Sequence, residues 1–389
     1  MHIRSFRFVL VIMLAHIAFL TYAQSVIVQK GVHLPKDSIV SGQLISSLNG
    51  FLSQKEKPNR DNTFVLKENL LETSALLDEL KQVERNINTK DNNFYKCYVT
   101  NVVKLNDDDF IIQFSYTGVS GDAPILRASF KLKAKRENGQ FYFYSLLKQN
   151  TISWKIKRVG SITWHYKDTM NKGDIKAFEA AIQSYDKRLK SPVLSFDSYY
   201  CDNLPEALQV VGIEYESDNN GVKNGSLSSH EDKRDLYVNG GSYYGSFFDP
   251  HDLWHDRLRT VMNPAVINRP VAEGCAYLYG GSWGYTWDEV LIKFKKYLAA
   301  NPNADWLTLY MDVTNFEGGE KPLKVAYVLN ALITQKIEKE KGFAPVMELL
   351  GCGKKEKGDE NYFKALEKVT GINKANFNTK MAELLRYLQ

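Results

Sequence analysis

The sequence predicts an α+β protein of two domains. Three observations carry that reading. Helical periodicity opens the mature chain, a group of alternating segments with a tight-turn dipeptide follows, and the last third is helical in pattern. At 389 residues the chain has room for two domains of ordinary size, with boundaries read as 24–157 and 158–389.

Residues 1–23 read as an export signal. Arg4 and Arg7 form a basic start, Phe8 to Leu20 an apolar run, and Thr21-Tyr22-Ala23 a small-residue cleavage site. Thirteen apolar residues are short for a bilayer span, so a cleaved peptide is expected, with a secreted or periplasmic product starting near Gln24. No membrane span is expected after cleavage. Loss of Arg4 and Arg7 takes the formal charge from +5 to +3. The lysines are scattered among acids rather than gathered in a stripe, so no nucleic-acid partner is expected. Cys97, Cys201, Cys275 and Cys352 lie far apart without a CxxC pair; one bridge or four thiols are both compatible with that spacing.

In the first domain, residues 36–54 and 63–84 read as helices, with Leu44, Leu48 and Phe51 on one face of the first. "ILRASFKLKAK" alternates cleanly, and Asn138-Gly139 supplies a turn into "QFYFYSLL". "FYKCYVTNVVKL", "DFIIQFSYT" and "TISWKI" are expected to complete the same antiparallel sheet. A helix followed by a curved meander is similar to cystatin-like or nuclear-transport-factor-2-like domains.

In the second domain, "VGSITWHYK" and "VLSFDSYYC" read as strands, and "LPEALQVVG" as a short helix. Ile175, Phe178, Ile182, Tyr185 and Leu189 step by 3, 4, 3 and 4, a strong amphipathic helix. "DNNGVKNGSLSSHEDK" reads as a loop and "RDLYVNGG" as an edge strand open to peptide addition. Everything after Asp249 reads as helical, with Pro322 opening and Gly342 closing one helix.

The segment "DPHDLWHDRL" holds the candidate chemistry. Asp249 suits an N-cap and Pro250 the first helical position, so His251 and His255 fall four apart on one helix face. Two neutral imidazoles so placed can reach one Zn²⁺. Chance alone gives such a pair among the five mature histidines roughly one time in twenty. "RPVAEGCAYLYGG" then reads as a second short helix carrying Glu273.

Together these segments resemble the gluzincin clan of zinc metallopeptidases, whose H-E-x-x-H is followed by a Glu ligand in a stretch like N-E-G-x-A-x-Y. Glu273-Gly274-Cys275-Ala276-Tyr277 matches it, with seventeen residues between His255 and Glu273. The likeness covers about residues 158–389 and implies a zincin-like fold with a mainly helical C-terminal lobe. It implies His251, His255 and Glu273 as metal ligands, Zn²⁺ as cofactor, a peptide or protein as substrate, and Tyr327 as oxyanion donor, with Tyr310 as a substitute. The departure is Asp252, which stands where the clan has the Glu general base. Asp is one methylene shorter, about 1–1.5 Å, enough to cost on the order of 100-fold in rate.

No G-A-M-E-N-like stretch precedes the motif, so the resemblance does not imply an exopeptidase. No G-x-S-x-G elbow, P-loop or Rossmann pattern is present. Cys275 reads as a buried structural thiol. "GGSYYGSFFDP" and "GGSWGYTW" are aromatic, Gly-rich loops. The expected function is zinc-dependent peptide hydrolysis, attenuated by Asp252. The alternatives are an inactive peptidase-fold scaffold at the cell envelope and a carbohydrate- or surface-binding protein using those loops.

Overall fold

A computed structural model describes residues 25–193, 195–242 and 244–386; the export signal read at residues 1–23 lies outside the described residues. The chain is a mixed α+β protein, with thirteen helices among the described residues. It divides into two compact units. One runs to Asn150 and includes Gln209–Asn220; the other comprises Thr151–Leu208 and the chain from Gly221 onward.

The first unit begins with β1 (Ile27–Val28) and α1 (Ser38–Ser53). Asp37 caps α1 by accepting the Ile39 and Val40 N–H groups, and Leu44, Leu48 and Phe51 are buried, as their spacing requires. The second helix, α2, spans only Leu70–Leu80. It is shorter than the 63–84 reading because Val65 pairs with Phe143 and the Leu66 N–H bonds the Phe143 carbonyl, which holds this stretch extended.

Strands β2 (Lys96–Lys104), β3 (Asp109–Ser120), β4 (Ala123–Glu137) and β5 (Gln140–Tyr144) form an antiparallel meander, with β1 parallel to β2. Asn138 and Gly139 have φ of 51° and 79°, the left-handed pair that a two-residue hairpin turn demands. Helix α3 (Leu147–Asn150) ends the stretch.

The chain then enters the second unit with β6 (Lys155–Val159), β7 (Ile162–Tyr166), α4 (Lys172–Leu189), β8 (Ser195–Tyr200) and α5 (Leu204–Val211). "TISWKI" therefore does not join the first sheet. A turn at Gly160, φ 57°, folds β6 back onto β7. The division between units falls inside α5. The next strand, β9 (Ile213–Glu216), pairs antiparallel with β4 in the first unit.

Strands β10 (Ser226–Glu231) and β11 (Arg234–Asn239) complete a five-stranded sheet of order β10-β11-β8-β7-β6. Strands β7, β8 and β11 run parallel, and β10 is antiparallel to β11. Two expectations are corrected here. "RDLYVNGG" is an inner strand, and the edge strand comes from the segment read as loop. Asp232 and Lys233 adopt φ of 50° and 63° and close a two-residue turn without the usual Asn-Gly signal.

Helices α6 (Pro250–Arg259), α7 (Arg269–Gly280), α8 (Trp287–Ala300) and α9 (Trp306–Met311) follow. A short hairpin, β12 (Asn315–Glu317) with β13 (Leu323–Lys324), interrupts the expected all-helical lobe. It delays α10 to Val325–Lys341, because Leu323 and Lys324 are paired and the Val325 N–H bonds the Thr314 carbonyl. Gly342 closes α10 at φ 77°, as expected. Helices α11 (Ala344–Leu350), α12 (Glu360–Thr370) and α13 (Phe377–Leu385) complete this unit. Its core runs from Trp164 and Phe178 through Trp254 and Ala276 to Leu329 and Leu366. Among the described residues no helix is long and apolar enough to cross a membrane.

Candidate metal centre

Helix α6 starts where the sequence places it. The Asp249 carboxylate accepts the His251 N–H at 2.9 Å and Pro250 occupies the first turn. Leu253, Trp254, Arg257 and Leu258 are buried on one side, which turns His251 and His255 toward the other. Trp254 packs between Tyr185 and Tyr279, at ring-centroid distances of 5.3 and 4.8 Å. Arg257 is only 2 % exposed. It donates to Asp186 at 2.7 Å, to Ser191 at 3.2 Å and to Asp235 on β11, and His230 bonds Asp235 in turn. This buried cation fastens the histidine helix to the sheet and to α4.

Helix α7 brings Glu273 alongside. Asn268 is fully buried and caps α7. Gly274 has no room for a side chain, since a Cβ there would lie 2.5 Å from the Asn330 Cβ on α10. At the other end a Cβ on Gly280 would lie 2.5 Å from the His251 nitrogen. The Glu-Gly and Gly-Gly pairs thus let three helices approach closely enough to bring their side chains together.

The outcome is a triangle of ligand atoms. His251 Nε2 and His255 Nε2 are 3.3 Å apart, and Glu273 Oε2 lies 3.4 Å from the first and 4.0 Å from the second. Four-coordinate zinc with bonds near 2.0–2.1 Å separates its ligands by about 3.3–3.4 Å at tetrahedral angles, so two edges already fit. Among the described residues this is the group of three whose donors could hold a metal.

The electrostatics suit the donors. The Nδ1 of His251 lies 2.8 Å from the Gly281 carbonyl, which can only accept, so Nδ1 carries a proton and, in the neutral imidazole that a metal requires, the Nε2 lone pair faces inward. Burial opposes charging of His251, but its bonds to Glu273 and Gly281 outweigh that and raise its pKa. Burial pushes His255 down to about 4, against the pull of Glu273. Burial would raise Glu273, yet the His251 hydrogen bond and the charges of His255, His251 and Arg269 hold it at about 2. Arg269 Nε lies 3.3 Å from Glu273 Oε1, so each carboxylate oxygen has its own partner.

In comparison with known proteins, no family model matches the chain and no curated protein matches it.

The triangle opens on a cavity of about 470 Å³ whose walls include Asp252 and Tyr327 with His251 and Glu273. Burial and the charge of Asp249 raise the Asp252 pKa. Tyr327 is 7 % exposed; burial and the Glu273 charge raise its phenol, and nearby Arg269 opposes them. Tyr310 is corrected: it is wholly buried and stacks on Tyr362 at 5.1 Å, away from the cavity lining. Cys275 is the buried thiol expected, 3.7 Å from Thr334 and pushed up to about 12 by burial. All four cysteines are unpaired.

The two aromatic loops contribute Tyr244 and Trp283 to the cavity. Sequence reasoning missed Arg269, Arg257 and Lys324. Arg269 carried a signal, four positions before Glu273 on one helix. A buried arginine and a lysine delivered by a short hairpin carried none.

Proposed function

We propose that the protein is an exported zinc-dependent peptidase of gluzincin type, attenuated at its general base, preceded by a domain similar to cystatin-like or nuclear-transport-factor-2-like folds. The observation that carries this reading is the triangle of His251 Nε2, His255 Nε2 and Glu273 Oε2 opening on a cavity that Asp252 and Tyr327 also line. The helix-then-meander order of the first unit supports the domain comparison, and the apolar Phe8–Leu20 stretch supports export to a periplasm or beyond.

His251, His255 and Glu273 would hold the zinc ion, which when bound would supply Lewis-acid polarisation of a carbonyl and lower the pKa of a water to about 7. Asp252 takes the proton from the attacking water and passes it to the leaving nitrogen as the new C–O bond forms and C–N breaks. The Tyr327 hydroxyl donates to the developing oxyanion, with Arg269 beside it favouring negative charge. Arg269 and the Gly281 carbonyl keep Glu273 and His251 aimed. Strand β10 ends the strand order of its sheet, and its Ser228 hydroxyl bonds Asp256 of α6 at 2.8 Å, which ties that strand to the histidine helix.

A second reading, a zinc-binding relative that no longer cleaves, is favoured by the short stem of Asp252. Elemental analysis of the purified protein and of His255→Ala, with peptide cleavage on both, tests the proposal. Stoichiometric zinc lost in the variant, with cleavage in the parent, supports it. Zinc without cleavage supports the second reading, and absence of zinc sinks both.

A further inference from the structure

We infer that the cavity beside the triangle takes a carboxylate of the peptide substrate, with Lys324 as counter-charge and Trp283 and Tyr244 as walls. The inference rests on the peptidase reading and names the substrate class of that site. An acidic side chain and a chain-terminal carboxylate share the chemistry.

Charge supplies the first argument. The acidic groups of the cavity are Asp249, Asp252 and Glu273. Asp249 is engaged by the His251 N–H, and Glu273 by the imidazoles and Arg269. Lys324 is half-buried in the lining, yet among the described residues it has no carboxylate within ion-pair distance; its ammonium rests 5.3 Å from the Tyr327 ring centre. Lys321 repeats the pattern, 5.1 Å from Tyr244 and 4.9 Å from Tyr285. Ring faces steady an ammonium without neutralising it, so the Lys324 charge in the lining remains available to a ligand, whereas Lys321 lies outside that lining. With a divalent cation in place, positive charges in the cavity outnumber its three carboxylates.

Backbone strain supplies the second. Trp283 has φ of 55° and Gly284 of 78°, in a turn closed by reciprocal bonds between Ser282 and Tyr285 at 2.9 and 2.8 Å. Such a turn prefers Asn-Gly, and a bulky residue there is an outlier. Strain of this kind persists where the surroundings impose it, commonly at ligand clamps. Here the indole N–H donates to the Pro322 carbonyl at 2.7 Å, and the ring meets Tyr244 edge-on at 6.4 Å. Trp283 is 37 % exposed and walls the cavity. Apolar walls around an unmatched ammonium fit a short aliphatic stem ending in a carboxylate. A sugar ring would use the walls and leave the lysine unmatched.

Fluorescence anisotropy of the zinc-supplemented protein tests this with four labelled hexapeptides: amidated with central Glu, with central Gln or with central Lys, and a free acid with central Gln. One carboxylate-bearing peptide is expected to bind at least about tenfold tighter than amidated Gln, and Lys324→Met to abolish the difference while zinc content is retained. Whether central Glu or the free acid wins identifies the source. Trp283→Asn, which suits the turn, is expected to keep the melting temperature and weaken every peptide. Equal binding of all four, or a preference that survives Lys324→Met, overturns the inference. Zinc uptake and cleavage without a carboxylate preference sinks this pocket alone; the preference without zinc or cleavage supports the pocket and sinks the hydrolase.

Discussion

His251 Nδ1 donates to the carbonyl of Gly281, the residue just past the end of α7. Gly281 has φ 77° and ψ −159°, a region open essentially to glycine, and a Cβ there would lie 2.0 Å from the Tyr285 carbonyl. One glycine therefore sets the tautomer of one candidate ligand. Gly281→Ala is expected to lower zinc affinity by about 10–100-fold, the usual cost of losing such an outer partner. Competition with a zinc chelator measures it; unchanged affinity would show that the carbonyl contact does not aim the imidazole.

Asp252 separates the two readings of the site. Lengthening it by one methylene in Asp252→Glu is expected to raise kcat/KM by about 10–100-fold with zinc content unchanged. Asp252→Asn is expected to abolish cleavage and keep the zinc. Peptide turnover with parallel metal analysis checks both. Equal rates across the three proteins would remove Asp252 from the reaction.

The parts that could be read beforehand are those where local chemistry and tertiary demand coincide. The 3-4-3-4 spacing of α4 puts Ile175, Phe178, Ile182, Tyr185 and Leu189 into the core, where the structure buries all five. Asn138-Gly139 and the Asp249-Pro250 cap announced their backbone angles. Strand β10 was hidden because four of its six residues are serines or a histidine of middling exposure and its turn is Asp-Lys. Inner strand β11 passed for an edge for the same reason, since its neighbour was unseen. At the site the His251–His255 pair follows from helix geometry, whereas Glu273 came from resemblance. Nothing in the spacing of its charged helix marks Arg257 as buried; only the packing of α4 and β11 around it does.

Arg257 gives a stability test. Removing one partner of a buried ion pair strands the other charge, so Arg257→Ala is expected to cost about 3–5 kcal/mol. Arg257→Met combined with Asp235→Leu is expected to recover part of that, because the two most buried charges leave together and only the more exposed Asp186 loses its partner. Urea unfolding of the three proteins decides it. A cost under about 1 kcal/mol for Arg257→Ala would mean that the network contributes little to holding α6 in place.

The first unit carries its own pH dependence. Glu79, at the end of α2, is hydrogen-bonded to Glu216 of β9, which is 7 % exposed. Burial, the charge of Glu216 and that hydrogen bond, with Asp78 and Asp218 nearby, raise Glu79 from 4.5 to about 8; Glu216 is itself raised by burial, against the pull of Glu79 and Arg127. A carboxyl raised in the folded state stabilises it fully below the unfolded value of 4.5 and loses that contribution as pH climbs through about 8. The pair is thus expected to hold β9 on β4 best in mild acid and less well above neutrality. Glu79→Gln keeps a hydrogen-bond donor beside Glu216 without the second charge, so its melting temperature should fall less between pH 5 and pH 8.5 than that of the parent. Thermal unfolding at those two pH values compares them. If both proteins lose stability equally, the shared proton lies elsewhere and the Glu79–Glu216 contact does not govern the acid preference of this unit.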